Sequence, residues 1–341
     1  WQGSGQRPLF RHVCERIAAW LMDEMQTPSG AYSASLDADS EGEEGRYYVW
    51  TPDEVRGLLD EEEYRVFAPR FGLDQDPNFE GRWHLHTFMT PDQFAAQSGL
   101  DGAEVQALLA TAKTKLLAAR ERRVRPGRDD KILAAWNGLM IRGMCIAARV
   151  LGDAEMAASA QRAMDFVRRE MFVDGRLFAT WKDGRARFNG YLDDHAFLLD
   201  ALLELLQARW DSGHLALARH VADLMLEHFE DPENGGFWFT ADDHESLIHR
   251  SKPLADEAVP SGNGIAARVL ARLGHLLGEA RYAAAAERCL QRAAPRLRES
   301  PLGHASLLIS VQDAVHPPPH LIIGGADGEA AASLKRWVEN N

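Results

Sequence analysis

Cysteine is scarce in this chain: three occur in 341 residues, Cys14, Cys145 and Cys289, and no two form a C-x-x-C pair. All three fall in helical stretches with apolar neighbours. This predicts reduced thiols buried as small hydrophobes rather than a disulfide framework or a redox motif. Basic charge is in the minority, with 38 Lys and Arg against 51 Asp and Glu and a net charge of −13. That balance argues against a nucleic-acid partner, whose phosphates require a basic stripe. The basic run at 120–128 reads as a solvated helix end and loop. No apolar run approaches the roughly 20 residues needed to cross a bilayer. No charged start followed by an apolar stretch marks a signal peptide. A cytoplasmic protein without a membrane partner is the expectation. Phosphate-binding loops, G-x-S-x-G elbows and dinucleotide fingerprints are missing too, so no cofactor is expected.

What the chain does have is three glycine-rich turns, at Pro28 to Gly45, Val173 to His195 and Asn234 to Asn263. Each follows an amphipathic stretch and carries an aromatic residue and acidic residues. Repeated helix, turn and helix units are the sequence signature of helical solenoids and toroids. The patterning predicts helices at 7–25, 102–123, 131–151, 154–171, 191–211, 214–229, 263–278, 280–298 and 304–315. Residues 196–206 (AFLLDALLELL) are apolar nearly all round, whereas 215–229 carry a single stripe of Leu215, Ala218, Ala222, Met225 and Phe229. An all-apolar helix beside a one-striped helix implies an inner and an outer layer. The predicted fold is therefore all-α, an α/α toroid over 1–316. Residues 46–100 read as an inserted segment of short helices with a strand at 82–86 (RWHLH). Two capping boxes start its helices, Thr51–Pro52–Asp53–Glu54 and Thr90–Pro91–Asp92–Gln93. The tail at 317–341 reads as a linker with a short strand at 317–325 and a last helix near 328–338, cut short of a natural end.

Four constellations carry candidate chemistry. In Ser35 to Gly45, Asp37, Asp39, Glu41 and Gly42 match the first half of a calcium loop. Tyr48 then stands where a bidentate Glu is required, leaving a structural turn or a pocket-lining acidic loop as the alternatives. In Arg125 to Met140, Asp129 and Asp130 stand before a helix that carries Trp136, Asn137 and Gly138. A glycine inside a helix costs about 1 kcal/mol, so either close helix packing or a pocket wall formed by Asn137 must repay it. In Gly190 to Phe197, Asp193, Asp194 and His195 suit either general acid–base work or the capping of a helix. In Asp256 to Ala266, Asp256 and Glu257 lie upstream of Ser261 and Asn263, a further helix start. Acidic or capping residues thus precede three inner helices, which predicts that those N-termini converge on one face. His84 and His86 share a strand face without a third ligand, so no metal is expected.

These segments resemble a known family. SLDADSEGEEGRYYVWT, NFEGRWHLH, RPGRDDKILAAWNGLMI, GYLDDHAFLLDALLEL, NGGFWFT and VPSGNGIAARVLARL, in this order across about residues 1–325, are similar to the thioredoxin domain-containing proteins of the YyaL and spermatogenesis-associated type. The resemblance implies an (α/α)6 toroid of the six-hairpin glycosidase type, like the N-acylglucosamine 2-epimerases and cellobiose epimerases. Family members carry an N-terminal thioredoxin-like domain with a C-x-x-C motif. Neither is in this chain, which corresponds to the toroid portion. The expected function is binding of a sugar-like small molecule, with hydrolysis or epimerisation as the candidate reactions. Asp130 and Asp194 are the candidate catalytic pair, and His195 the candidate base. Asp37, Asp39, Trp136, Asn137, Trp181, Asp193, Glu257 and Asn263 are candidate ligand contacts. The alternative is a non-catalytic scaffold for the thioredoxin-like domain.

Overall fold

The computed structural model describes residues 8–245 and 247–317, together with 328, 329, 333 and 337. The strand expected at 317–325 and the last helix expected near 328–338 lie outside the described residues, apart from Pro317 and those four. In chain order, α1 (Pro8–Trp20) is followed by β1 (Ser35–Leu36), β2 (Asp39–Ser40), β3 (Glu43–Glu44), α2 (Pro52–Leu58), α3 (Glu61–Phe71), α4 (Pro91–Ser98), α5 (Gly102–Arg120) and β4 (Arg128–Asp129). Next come β5 (Ile132–Leu133), α6 (Ala134–Leu151), α7 (Ala154–Phe166), β6 (Phe172–Val173), β7 (Arg176–Lys182), β8 (Arg185–Asn189), α8 (Leu192–Ala208), α9 (Ser212–His228), α10 (Gly262–Leu277), α11 (Ala280–Glu299) and α12 (Ala305–Val315). The chain divides into two compact units, Trp1–Ala34 with Asp130–Asn341, and Ser35–Asp129.

The first unit has the α/α layering that the sequence predicts. Helices α6, α8, α10 and α12 pack on one another in that order, and α7, α9 and α11 each pack back on the inner helix preceding them. Helix α8 is buried along nearly its whole length, as its continuous apolar run requires. The links between inner and outer helices are short because one residue stops a helix and the next starts another. Gly152 ends α6 in the left-handed conformation (φ 72°), and Asp153 then accepts the amides of Glu155 and Met156 to cap α7. Glycine also sets the closeness of the inner layer. A Cβ on Gly138 would lie 2.7 Å from the Phe197 carbonyl carbon, and one on Gly264 would collide with Ser306. Close crossing of α6 on α8 and of α10 on α12 is therefore what repays glycine inside these helices. One departure from expectation is the antiparallel hairpin of β7 and β8, with β5 pairing along β7 so that Ile132 faces Trp181.

The second unit contains the inserted segment. Its two ends meet where β1 pairs with β4, Ser35 opposite Asp129. Both capping boxes form: Thr51 with Glu54 starts α2, and Thr90 with Gln93 starts α4. The core gathers Trp50, Val55, Val66, Phe67, Val105 and Leu109. The strand expected at 82–86 does not form. Trp83 makes a single bridge to Trp50, and Asn78 instead engages both the amide and the carbonyl of His84. The side chain thereby consumes backbone groups that a ladder would need.

Gly138→Ala is expected to destabilise the chain by about 1–3 kcal/mol, because a backbone, not a flexible side chain, would have to move. Urea denaturation checks this; an unchanged midpoint would remove close packing as the reason for the glycine.

Candidate functional site

The inner helices bring their N-termini to one end, and carboxylates tie these ends together. Asp194 lies in the first turn of α8, not before it. Its Oδ2 accepts the Tyr191 amide of its own helix start at 2.8 Å, and its Oδ1 accepts the Ala135 amide of α6 at 2.9 Å. Asp129 and Asp130, which the sequence places just before this helix, stand on and beside short strands. The α6 cap position is Leu133, which offers no side-chain oxygen. Asp256 repeats the device, accepting the amides of Ser261 and Ser306, both at 2.8 Å, at the starts of α10 and α12. The two carboxylates titrate differently. Burial lifts Asp194 to about 7, against the pull of the Tyr191 and Ala135 amides. At Asp256 burial also opposes charge, but the Ser306 hydroxyl and the two amides outweigh it and hold its pKa below the ordinary value.

Asp193, one residue earlier, is the unsatisfied member. Its Oδ1 is buried against the Gly262 backbone at the start of α10, whose amide is the one donor beside it and stands outside good hydrogen-bond geometry. Burial raises its carboxyl to about 6, with the Gly262 backbone only partly offsetting the rise. His195 is 1% exposed, packed on the Phe229 ring at 4.8 Å between centroids, with Nδ1 2.8 Å from the Tyr191 carbonyl. That contact makes Nδ1 the protonated nitrogen and leaves Nε2 a buried acceptor without a partner among the described residues. Burial depresses the ring to about 4, so it is neutral.

Asn137 and Asn263 perform one job twice. Asn137 accepts the Tyr32 amide at 2.9 Å and donates to the carbonyls of Tyr32 and Leu133. Asn263 accepts the Phe237 amide at 2.7 Å and donates to the carbonyls of Phe237 and Pro253. Each clips the aromatic residue that follows a glycine-rich turn onto an inner helix. The remaining predicted residues are more open. Trp136 is 49% exposed in the first turn of α6. Trp181 is half-buried, its ring edge-on to Phe166 at 5.0 Å. Asp130 and Glu257 are exposed. Asp37 and Asp39 are exposed in the second unit, where the Asp37 side chain accepts the Asp39 amide at 3.2 Å as a local turn.

Sequence reading missed an ion network in the inner layer. Asp200 and Glu204, one helical turn apart on α8, are 2% and 5% exposed. Arg142 reaches Asp200 at 2.6 Å, Arg149 reaches Glu204 at 2.6 Å, and Arg272 touches both at 3.5 and 3.1 Å. Burial leaves Asp200 raised, whereas at Glu204 Arg272 and Arg149 overcome burial and lower it. The available signal was two carboxylates at i and i+4 in an otherwise apolar helix. As to metals, the ligand atoms of His228, Asp242 and Asp243 lie within 4.8 Å of one another. His228 and Asp242 are bonded at 2.8 Å, however, and the Arg176 guanidinium pairs with Asp243 and meets His228, so a cation already fills that position.

Alternating inner and outer helices, with the inner N-termini gathered at one end, define the first unit as a protein of the α/α-toroid class. Its sequence is similar to spermatogenesis-associated protein 20 of Mus musculus, 33% identical over 305 residues. The match covers 79% of this chain and 39% of that protein, so the chain spans about two-fifths of the length of its curated relative. No protein-family model matches the chain. Among solved structures, it is similar to a GH76 α-mannanase of Bacteroides thetaiotaomicron, with a TM-score of 0.48, 14% identity, and 57% of this chain and 55% of that chain covered. It is also similar to cellobiose 2-epimerase of Bacillus thermoamylovorans, with a TM-score of 0.42, 11% identity, and 84% and 72% covered. The assignment of class rests on the helix packing, and no activity is carried over from these two enzymes.

Asn137→Ala is expected to cost about 2–4 kcal/mol, since it strands the buried amide and carbonyl of Tyr32. Chemical denaturation measures this, and a loss below about 0.5 kcal/mol would show the clip to be dispensable. For His195, the unfolded chain takes up a proton near pH 6.5 and the folded chain only near 4. Its neutral burial therefore stabilises the fold above about pH 6.5, and that stability drains away as pH falls towards 4, on the order of 3 kcal/mol. Asp193 and Asp194 gain stability over the same range, so the readout is wild type minus His195→Gln. The difference should shrink on acidification; a pH-independent difference would contradict neutral burial.

Proposed function

We propose that the first unit binds a polyhydroxylated, sugar-like ligand at the shared N-terminal end of its inner helices, with Asp193 as the carboxylate that meets it. The observation that carries this reading is the contrast between neighbours. Asp194 and Asp256 spend both oxygens on backbone amides, whereas Asp193, at the junction of α8 and α10, has only the poorly aligned Gly262 amide beside its Oδ1. A half-buried carboxylate with so poor a partner is costly to keep charged, and a ligand hydroxyl meeting its open side would lower that cost. Trp136 supports the reading. It follows Ala135, whose amide Asp194 holds, and presents half its surface to solvent, as a platform for a sugar face requires. If the ligand is turned over, Asp193, with its carboxyl near 6, is suited to proton transfer around neutral pH. Asp194 and His195 then act as positioning residues that hold the first turn of α8.

A second reading has its own support. Asp194, Asp256, Asn137 and Asn263 are all consumed by the fold, as in a scaffold that binds another protein domain, such as a thioredoxin-like one, rather than a substrate.

A thermal-shift series against neutral, uronic and N-acetylated sugars separates the two. A ligand at about 100 times its dissociation constant adds roughly 2.7 kcal/mol. The sugar-binding reading expects a rise with at least one class, abolished in Asp193→Asn while cooperative unfolding is kept. A flat series on cooperatively folded protein, or a shift indifferent to Asp193→Asn, would transfer the conclusion to the scaffold.

A further inference from the structure

A concavity lies in the first unit, built from the end of α6, the start and one flank of α7, and the end of α8. It holds about 630 Å³, the size of a small-molecule site. Its floor is made of small and apolar side chains, including Ala148, Ala157, Ala158 and Leu205, while Arg149, Arg162 and Arg209 stand around it. What distinguishes it is the set of arginines gathered around an apolar floor. Arg149 is paired with Glu204. Arg162 donates instead to the neutral Gln26 amide oxygen at 2.9 Å, and Arg209 has no side-chain partner among the described residues. The Asp153 carboxylate at the same rim accepts the amides of Glu155 and Met156 on Oδ1 and leaves one negative charge in the wall. Two guanidiniums with no ion pair among the described residues therefore border one apolar-floored cavity, against the single carboxylate of Asp153.

We propose that this cavity is a binding site for a small organic anion, a carboxylate or phosphate carried on an apolar body. The oxyanion would lie between Arg162 and Arg209, where planar guanidiniums suit oxyanion geometry. The apolar body would cover the alanine floor. The site stands apart from Asp193 and does not depend on the sugar-binding reading.

Calorimetric titration with phenyl phosphate and benzoate, set against phenol and inorganic phosphate, tests it. Saturable binding is expected for at least one of the two organic anions, with phenol failing to bind and inorganic phosphate binding more weakly because it leaves the floor uncovered. The Arg162→Ala, Arg209→Ala double variant should weaken binding about 100-fold, roughly tenfold per guanidinium. Asp193→Asn should leave binding unchanged. Should the double variant fail to unfold cooperatively, Arg209→Gln alone, at an exposed position, carries the comparison with an expected loss of about tenfold. Absence of saturable binding by both anions, equal binding of phenol, or full affinity in the arginine variants would overturn the proposal. Preference between phenyl phosphate and benzoate identifies the head group.

Discussion

The first unit depends on how the amides at the starts of its inner helices find partners. Every α-helix opens with amides that have no acceptor within the helix, and at a buried end water cannot supply one. Asp194 and Asp256 meet this need across helices, each accepting amides from two different helix starts. The same bonds that satisfy the amides fix the relative height of α6 and α8, and of α10 and α12. Asn137 and Asn263 then bind the glycine-rich turns to that end through Tyr32 and Phe237. Once this end is tied, Gly138 and Gly264 allow the helices below it to cross closely.

Helix α8 lies at the centre of this arrangement. Its apolar side chains run nearly all round the helix, so hydrophobic burial alone gives little preference for one rotation over another. Asp200 and Glu204 remove that freedom, because arginines of α6 and α10 meet them at only one register. Buried ion pairs of this kind add little net stability once desolvation is counted, and specificity is the role we assign to them in this protein. The first turn of α8 combines structural and open groups within three residues. Asp194 is satisfied, His195 is neutral and buried, and Asp193 has only the poorly aligned Gly262 amide beside its Oδ1. Adjacent carboxylates diverge because successive helical side chains point about 100° apart, so neighbours in sequence meet different surroundings.

Much of the fold was legible. The all-apolar run at 196–206 and the single stripe at 215–229 announced inner and outer layers, and both capping boxes formed as written. The convergence of helix starts was legible from acidic residues recurring before or within their first turns. The strand at 82–86 was misread because alternation ignores side chains that compete for backbone groups, as Asn78 does at His84. The hairpin of β7 and β8 was passed over because its alternating residues lay inside a segment read as a turn. The site was legible only as a neighbourhood. Sequence pointed to Asp193, Asp194, His195 and Asn137 together, but capping and chemistry call on the same residue types.

Sequence by itself determined the all-α class, the two kinds of helix, and the turns where polar groups gather, because these follow from local periodicity and the conformational limits of single residues. Tertiary structure decided which carboxylate is spent and which is left open. It also decided that Gly138 serves packing, that Asp200 and Glu204 meet arginines from two helices, and that Arg162 and Arg209 share a cavity. The partners in each case lie tens of residues apart. Solvation, charge and hydrogen bonding at a side chain depend on what surrounds it in space, and the fold sets those surroundings.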